Sequence, residues 1–316
     1  MEAVLNKIRE YGIMPLVTLK KAEYARLIGQ ALTKCCLPVA EVTFRTDQAE
    51  DAIRILSEEF PNILVGAGTV LNPEMAERAI RAGASFILAP GLNPEMVQYC
   101  QEKKVPVFPG CMTPSELEQA KRLGLKAVKY FPMAQAGGVP TLKSISAPFG
   151  DLEFLATGGV NDGNIAEYLS FSKIMSCGGS WMIREQRLLD NDLEGLIQDI
   201  NKSIASMLKL RFGHIGILGG NEGRKKMCNL FNLNPDESAA GFVGTTIEVL
   251  EEQGRGEKGH LAVATCDIVR AIAYYERKGL AIDPESFKKD PQGNLIAAYL
   301  KEEISGFAVH LLQSKD

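Results

Sequence analysis

The chain has 316 residues, 46% of them hydrophobic, and a formal net charge of −4, enough length and apolar content for two packed domains. No basic stripe points to nucleic acid and no apolar run reaches bilayer length. The seven scattered cysteines include no C-x-x-C pair, and Met1-Glu2-Ala3-Val4-Leu5 lacks the basic start of a signal peptide, so reduced thiols in a cytoplasmic protein are expected.

From residue 13 to about 206, short apolar runs alternate with helical patterns. Strands are predicted at Ile13–Leu19, Ala40–Phe44, Ile63–Gly66, Phe86–Ala89, Pro106–Phe108, Ala127–Phe131, Phe154–Ala156 and Ile174–Cys177. Helical patterns lie between them at Lys21–Cys35, Gln48–Phe60, Pro73–Ala82, Pro94–Lys103 and Pro114–Leu123. Several open on capping signals, as in Asn93-Pro94 and Thr113-Pro114-Ser115-Glu116. Eight strand–helix units in roughly 200 residues fit an α/β fold of the (β/α)8 TIM-barrel type better than an open doubly wound sheet. Residues 207–316 read differently: strand, helix and three strands, performed twice, with helices near Asn221–Leu230 and Cys266–Lys278. The expectation is a barrel over 1–206 and a smaller α+β domain of paired βαβββ modules over 207–316.

Chemistry enters at Lys129, a lone cation in the run Ala127-Val128-Lys129-Tyr130-Phe131-Pro132. An ammonium buried there is costly unless it is paired or gives up its proton, and a neutral amine attacks carbonyls. A salt-bridged or snorkelling strand lysine is the alternative. Barrel active sites gather at the C-terminal ends of strands, so those positions decide. Strand two supplies Glu41, Thr43 and Arg45 on one side, Glu41 as a buried carboxylate partner for Lys129 and Arg45 as a fork for a substrate carboxylate. Strand three ends Gly66-Ala67-Gly68-Thr69, strand four Ala89-Pro90-Gly91 and strand six Lys129-Tyr130-Phe131. Strand seven ends Thr157-Gly158-Gly159-Val160 and strand eight Gly178-Gly179-Ser180. These last two clusters suit an oxyanion cradle, although glycines that only turn the chain would read the same.

Together, Glu41-Val-Thr-x-Arg45-Thr, Gly66-Ala-Gly-Thr69-Val, Pro90-Gly91-Leu, Lys129-x-Phe131-Pro132, Thr157-Gly-Gly159 and Gly178-Gly-Ser180-Trp181 resemble the 2-keto-3-deoxy-6-phosphogluconate (KDPG)/4-hydroxy-2-oxoglutarate (KHG) aldolases. The resemblance covers nearly all of residues 1–206. It implies a class I aldolase with no cofactor, a small keto acid as substrate and a homotrimer. It also implies Lys129 as the imine-forming residue, Glu41 as acid/base, and Arg45 and Thr69 on the pyruvyl carboxylate. Phe131 would pack on the imine, Pro90 would belong to the wall, and Thr157, Gly158, Gly159, Gly179 and Ser180 would serve the phosphate. Tyr130 and Met133 depart from the family's commoner Phe and Ala. The competing readings are another phosphate-binding isomerase or synthase barrel, which leaves Glu41, Arg45 and Lys129 unexplained together, and a non-enzymatic sugar-acid sensor.

All three histidines fall in the last third, His214, His260 and His310, each in an apolar strand context, with Glu248 in another. Such residues on neighbouring strands suit one divalent ion, while satisfied core histidines are the plainer alternative. Phe212-Gly213-His214-Ile-Gly-Ile and Lys258-Gly259-His260-Leu-Ala-Val-Ala resemble the vicinal-oxygen-chelate superfamily, which implies metal ligands at His214, Glu248, His260 and His310. His310 stands where that superfamily more often has Glu. No reaction is assigned to this domain, which could equally bind a ligand or join subunits.

Overall fold

The computed structural model describes residues 1–233, 241–252 and 254–314. The chain divides into two compact units, Met1–Met207 and Leu208–Asp316.

In the first unit eight parallel strands alternate with helices: β1 Ile13–Val17, β2 Val39–Thr43, β3 Leu64–Gly68, β4 Phe86–Leu88, β5 Val107–Phe108, β6 Ala127–Tyr130, β7 Glu153–Thr157 and β8 Ile174–Gly179. Their order is β5-β4-β3-β2-β1-β8-β7-β6. A parallel bridge between Gly110 and Lys129 joins the two ends and closes the barrel. Closure works through the lysine's own backbone: its N–H donates to Pro109 O at 2.9 Å, and its carbonyl accepts from Cys111 N–H at 2.9 Å. The strands are apolar and buried because helices cover their outer faces. Gly66 on β3 leaves room for the Phe86 ring, since a Cβ there would lie 2.1 Å from Phe86 Cε2.

The helices follow the capping logic. Asn72, Asn93 and Thr113 each cap a helix whose first residue is proline, and Thr113 with Glu116 completes a capping box. The first two predicted strands extend too far or start too late: β1 stops at Val17 and β2 spans Val39–Thr43. A helix before β1, Glu2–Tyr11, was not expected from the sequence; it buries Leu5, Ile8 and Tyr11 and ends at Gly12 with φ 70°.

The second unit holds β9 Arg211–Leu218, a helix Gly220–Leu230, β10 Phe242–Val243 and β11 Ile247–Leu250. It continues with β12 His260–Thr265, a helix Ile268–Arg277, β13 Lys288–Lys289, β14 Leu295–Tyr299 and β15 Ala308–Gln313. The sheet runs β10-β11-β9-β12-β15-β14-β13. β9 is parallel to β11 and β12 to β15, while β9 and β12 meet antiparallel. The second copy has three strands after its helix. The first has two among the described residues, and residues 234–240 lie outside them.

Candidate active site

Strand alternation turns Lys129 into the barrel and Val128 and Tyr130 away from it. Lys129 is 6% exposed, and its Nζ stands 3.4 Å from Glu41 Oε1, at the long end of a hydrogen bond. Glu41, from β2, is fully buried, and its Oε2 makes no hydrogen bond to a described residue. Burial lifts the Glu41 carboxyl above its ordinary range, against the opposing pull of Lys129 and Arg45. A snorkelling lysine does not fit a 6% exposed side chain whose Nζ meets a buried carboxylate, whereas the salt-bridged alternative is the pairing the structure contains.

Room for that carboxylate comes from β3. A Cβ on Gly68 would fall 1.9 Å from Glu41 Oε1. Gly68→Ala is therefore expected to displace the Glu41 carboxylate and to destabilise the barrel by about 1–3 kcal/mol, the usual cost of overpacking a filled interior. Thermal melting followed by circular dichroism checks this, and a variant that melts with the wild type would contradict it.

Lys129 lines a cavity of about 300 Å³ at the C-terminal ends of the strands. Arg45, Thr69, Pro90, Lys129, Phe131, Thr157, Gly158, Gly159, Gly179 and Ser180 all line it, and Glu41 sits behind Lys129. Arg45 lies beyond the end of β2 and forms no ion pair with a described residue, so its fork is available to a ligand. Thr69 holds φ at 60°, a strained setting for a β-branched residue, while Val70 N–H anchors the turn on Leu88 O at 3.1 Å. The Phe131 ring centroid is 5.6 Å from Lys129 Nζ. Gly158 and Gly159 have φ of 92° and 77°, and a Cβ on Gly159 would lie 2.4 Å from Ala134 Cβ, so this turn admits little else. Buried Thr157 Oγ1 has no partner among the described residues. Tyr130 and Met133 are buried and do not line the cavity, so their departures from the family pattern fall outside its wall.

Sequence reasoning missed Leu16 and Trp181 as lining residues and Gly68 as the space for Glu41, while Val160 and Gly178 line the cavity as members of the two glycine clusters. Trp181 carried a signal, its place directly after Gly179-Ser180; Leu16 had none beyond its strand.

The KDPG and KHG aldolase family matches residues 4–199. The chain belongs to that family. A 2-dehydro-3-deoxy-phosphogluconate aldolase of Haemophilus influenzae is 39% identical over 191 residues, 60% of this chain and 90% of the relative. The KDPG aldolase of Zymomonas mobilis ZM4, solved with 3-phosphoglycerate, superposes with a TM-score of 0.61 at 32% identity, covering 64% of this chain and 95% of that one. The KDPG aldolase of Legionella pneumophila, solved with pyruvate captured as a covalent carbinolamine, gives 0.60 at 33% identity, covering 63% and 96%. As a family member the protein is a class I aldolase, a lyase that works through a Schiff base and needs no metal for that chemistry. None of its described helices is long and apolar enough to cross a membrane.

The aldolase's second unit carries another cluster. Register places Glu248 beside Gly216, Gly216 beside His260, and Ala262 beside His310, so His214, Glu248, His260 and His310 share one face of β9, β11, β12 and β15. His214 Nε2 is 3.1 Å from His260 Nε2, and Glu248 Oε2 is 3.3 and 3.0 Å from those nitrogens. The three histidines are buried and present ligand atoms within 4.8 Å of one another. Neither His310 ring nitrogen has a partner among the described residues, and its ring stacks on Tyr299 at 4.6 Å. Burial, then His260 and His214, pushes the His310 imidazole down to about 3. Gly216 makes the space: a Cβ there would be 2.1 Å from His260 Cε1.

Proposed function

We propose that the first unit cleaves KDPG to pyruvate and glyceraldehyde 3-phosphate, and also KHG to pyruvate and glyoxylate. The observation that carries this reading is the buried Lys129–Glu41 pair at a cavity that is also lined by Arg45, unpaired among the described residues, and by the two glycine clusters. Lys129 in its free-base form adds to the C2 carbonyl, and the carbinolamine hydroxyl takes a proton from solvent and leaves as water, giving a protonated imine. Glu41, through a water, takes the proton of the C4 hydroxyl. The C3–C4 bond then breaks, its electron pair is stored as an enamine, and the aldehyde departs. Glu41 returns the proton to C3, and hydrolysis frees pyruvate and the amine. A raised proton affinity suits a carboxyl that must both take and return a proton.

Arg45 and Thr69 hold the pyruvyl carboxylate, Phe131 packs on the imine, and Pro90 forms the wall beside it. The N–H groups around Gly158, Gly159 and Gly179, with the hydroxyls of Thr157 and Ser180, receive the phosphate. The relative solved with 3-phosphoglycerate supports a phosphorylated ligand in this barrel type. Steady-state assay of both keto acids with the full chain tests the assignment, with kcat/KM expected to be higher for KDPG. Cleavage of neither would overturn it. The enzyme is further proposed to act as a cytoplasmic homotrimer, the state implied by family resemblance, which light scattering on the purified chain measures.

For the second unit, over 207–316, the paired modules and the four-residue cluster support a divalent metal site. Ligands about 2.0–2.2 Å from a single ion stand roughly 3.0–3.5 Å apart, the range spanned by the His214, His260 and Glu248 atoms. Imidazole-rich donors with one carboxylate suit Zn²⁺, Mn²⁺, Fe²⁺ or Ni²⁺. The unpartnered His310 nitrogens fit a fourth ligand. Protein purified without chelator is expected to hold one metal per chain. Excess ion should stabilise the second unit by about 2.7 kcal/mol at a hundred times Kd. His214→Ala and His260→Ala should lose both effects. Metal-free protein whose melting ignores added Zn²⁺ and Mn²⁺ would leave a ligand-binding or subunit-joining role.

A further inference from the structure

One side chain ties together the two glycine clusters of the barrel. Trp181, the only tryptophan in the chain, lines the cavity and packs against Gly179, where a Cβ would be 2.4 Å from the indole Cζ3. Its Nε1–H donates to Asp162 Oδ1 at 2.8 Å and Ser203 Oγ at 2.9 Å, and the Ser203 hydroxyl donates to the same Asp162 oxygen at 2.6 Å. Asp162 belongs to the loop after β7. There Asn164 Nδ2 donates to Gly159 O at 2.9 Å, and Gly163 N–H donates to Asn161 Oδ1 at 2.8 Å. Ser203 is 1% exposed on the helix Leu193–Leu208, and Lys202 on the same helix pairs with Asp162 Oδ2 at 3.3 Å. Burial raises the Asp162 carboxyl, but hydrogen bonds from Ser203, Trp181 and Lys202 outweigh it and hold the group below its ordinary range. Asp162 is thus a stable anionic acceptor.

The consequence is a bridge from the loop after β7 to the loop after β8, anchored on the barrel's last helix. Its contacts run to the glycine end of the cavity, and none of these hydrogen bonds involves Lys129 or Glu41. Donors around an oxyanion act through their fixed spacing, so the group that sets the spacing controls affinity for the anion. A pin that only held the fold together would instead reduce the number of working sites for every substrate.

We propose that Trp181, held by Asp162 and Ser203, sets the distance between Gly158-Gly159 and Gly179-Ser180 and so makes the enzyme prefer a keto acid with a terminal phosphate over a non-phosphorylated one. Trp181 and Asp162 are positioning residues. This inference rests on the proposed reading of the glycine clusters as the phosphate end.

The test compares wild type, Asp162→Ala and Asp162→Asn as full chains, with working sites counted by borohydride-trapped pyruvate. Asp162→Ala is expected to raise KM for KDPG about tenfold, with kcat per trapped site within about twofold. KM for KHG should stay unchanged. Inhibition of KHG cleavage by inorganic phosphate should weaken by the same factor. Asp162→Asn, which keeps a carbonyl acceptor for the indole N–H, should recover most of the loss. Equal changes in both KM values, or none, overturn the proposal. A wild type that neither prefers KDPG nor responds to inorganic phosphate overturns the phosphate reading itself, and the proposal with it. Trp181 emission in the unmodified enzyme gives a readout that needs no variant. A saturable shift on adding inorganic phosphate is expected, and a flat response at inhibitory concentrations overturns the proposal.

Discussion

Replacement of Lys129 by methionine is expected to reduce carbon–carbon cleavage on the order of 10⁴-fold or more and to remove all borohydride-dependent labelling by pyruvate. Methionine keeps the length and apolar stem of the side chain, so packing in the barrel is largely retained. What it lacks is the nucleophile, and without an imine the C3–C4 bond has no electron sink. Peptide mapping of the wild type should place the reduced pyruvyl adduct on Lys129. Labelling of a different lysine, or near-normal turnover in Lys129→Met, would refute this assignment. The substitution also removes the cation that faces Glu41 at 3.4 Å. Deprived of it, the buried carboxyl should hold its proton more tightly. A carboxyl whose folded pKa is raised contributes stability that is present below its unfolded value, 4.5, and is lost as pH rises through the folded value. Melting of Lys129→Met should therefore fall more steeply than that of wild type as pH rises above 4.5. Adding Glu41→Gln should flatten the dependence.

Substitution of Glu41 by glutamine is expected to lower kcat by about 10²- to 10⁴-fold while Lys129 still traps pyruvate. Glutamine preserves shape and a hydrogen-bonding end but cannot accept a proton, so imine formation is separated from C3–C4 cleavage. The pH profile supplies an independent check. Protonated Glu41 cannot take the C4 hydroxyl proton, so kcat should rise with pH as this carboxyl ionises. Burial lifts that group above its ordinary value, so the acidic limb should lie above 4.5 in the wild type and vanish in Glu41→Gln. An unaltered kcat, or an acidic limb that survives the substitution, would transfer the role to another group.

Much of the active site was legible in the chain because local rules expose it. A cation within Ala127–Phe131 is conspicuous wherever the strand lies, and glycines at strand ends announce close backbone approach. Helix starts at Asn72-Pro73, Asn93-Pro94 and Thr113-Pro114 were equally visible, since capping is decided within four residues. Other features depended on partners distant in sequence. Gly68 reads as one more loop glycine until the register of β2 and β3 sets it against the Glu41 carboxylate. Thr69 at φ 60° goes against its own conformational preference, so no propensity rule finds it. The Trp181–Asp162–Ser203 bridge joins residues from two loops and a helix, with no sequence spacing to betray it.

By itself, then, the sequence determined the alternating strand–helix order, the caps, and the placing at strand ends of the residues proposed to react in the barrel, because charge, backbone freedom and periodicity are properties of short segments. The histidines of the second unit were likewise visible as residue types on strands. Tertiary structure alone decided that Lys129 reaches Glu41, that Arg45 stays unpaired among the described residues, and that His214, His260, His310 and Glu248 converge on one sheet face. These are contacts between strands far apart in the chain. Their existence depends on barrel closure and strand register, which no local segment encodes.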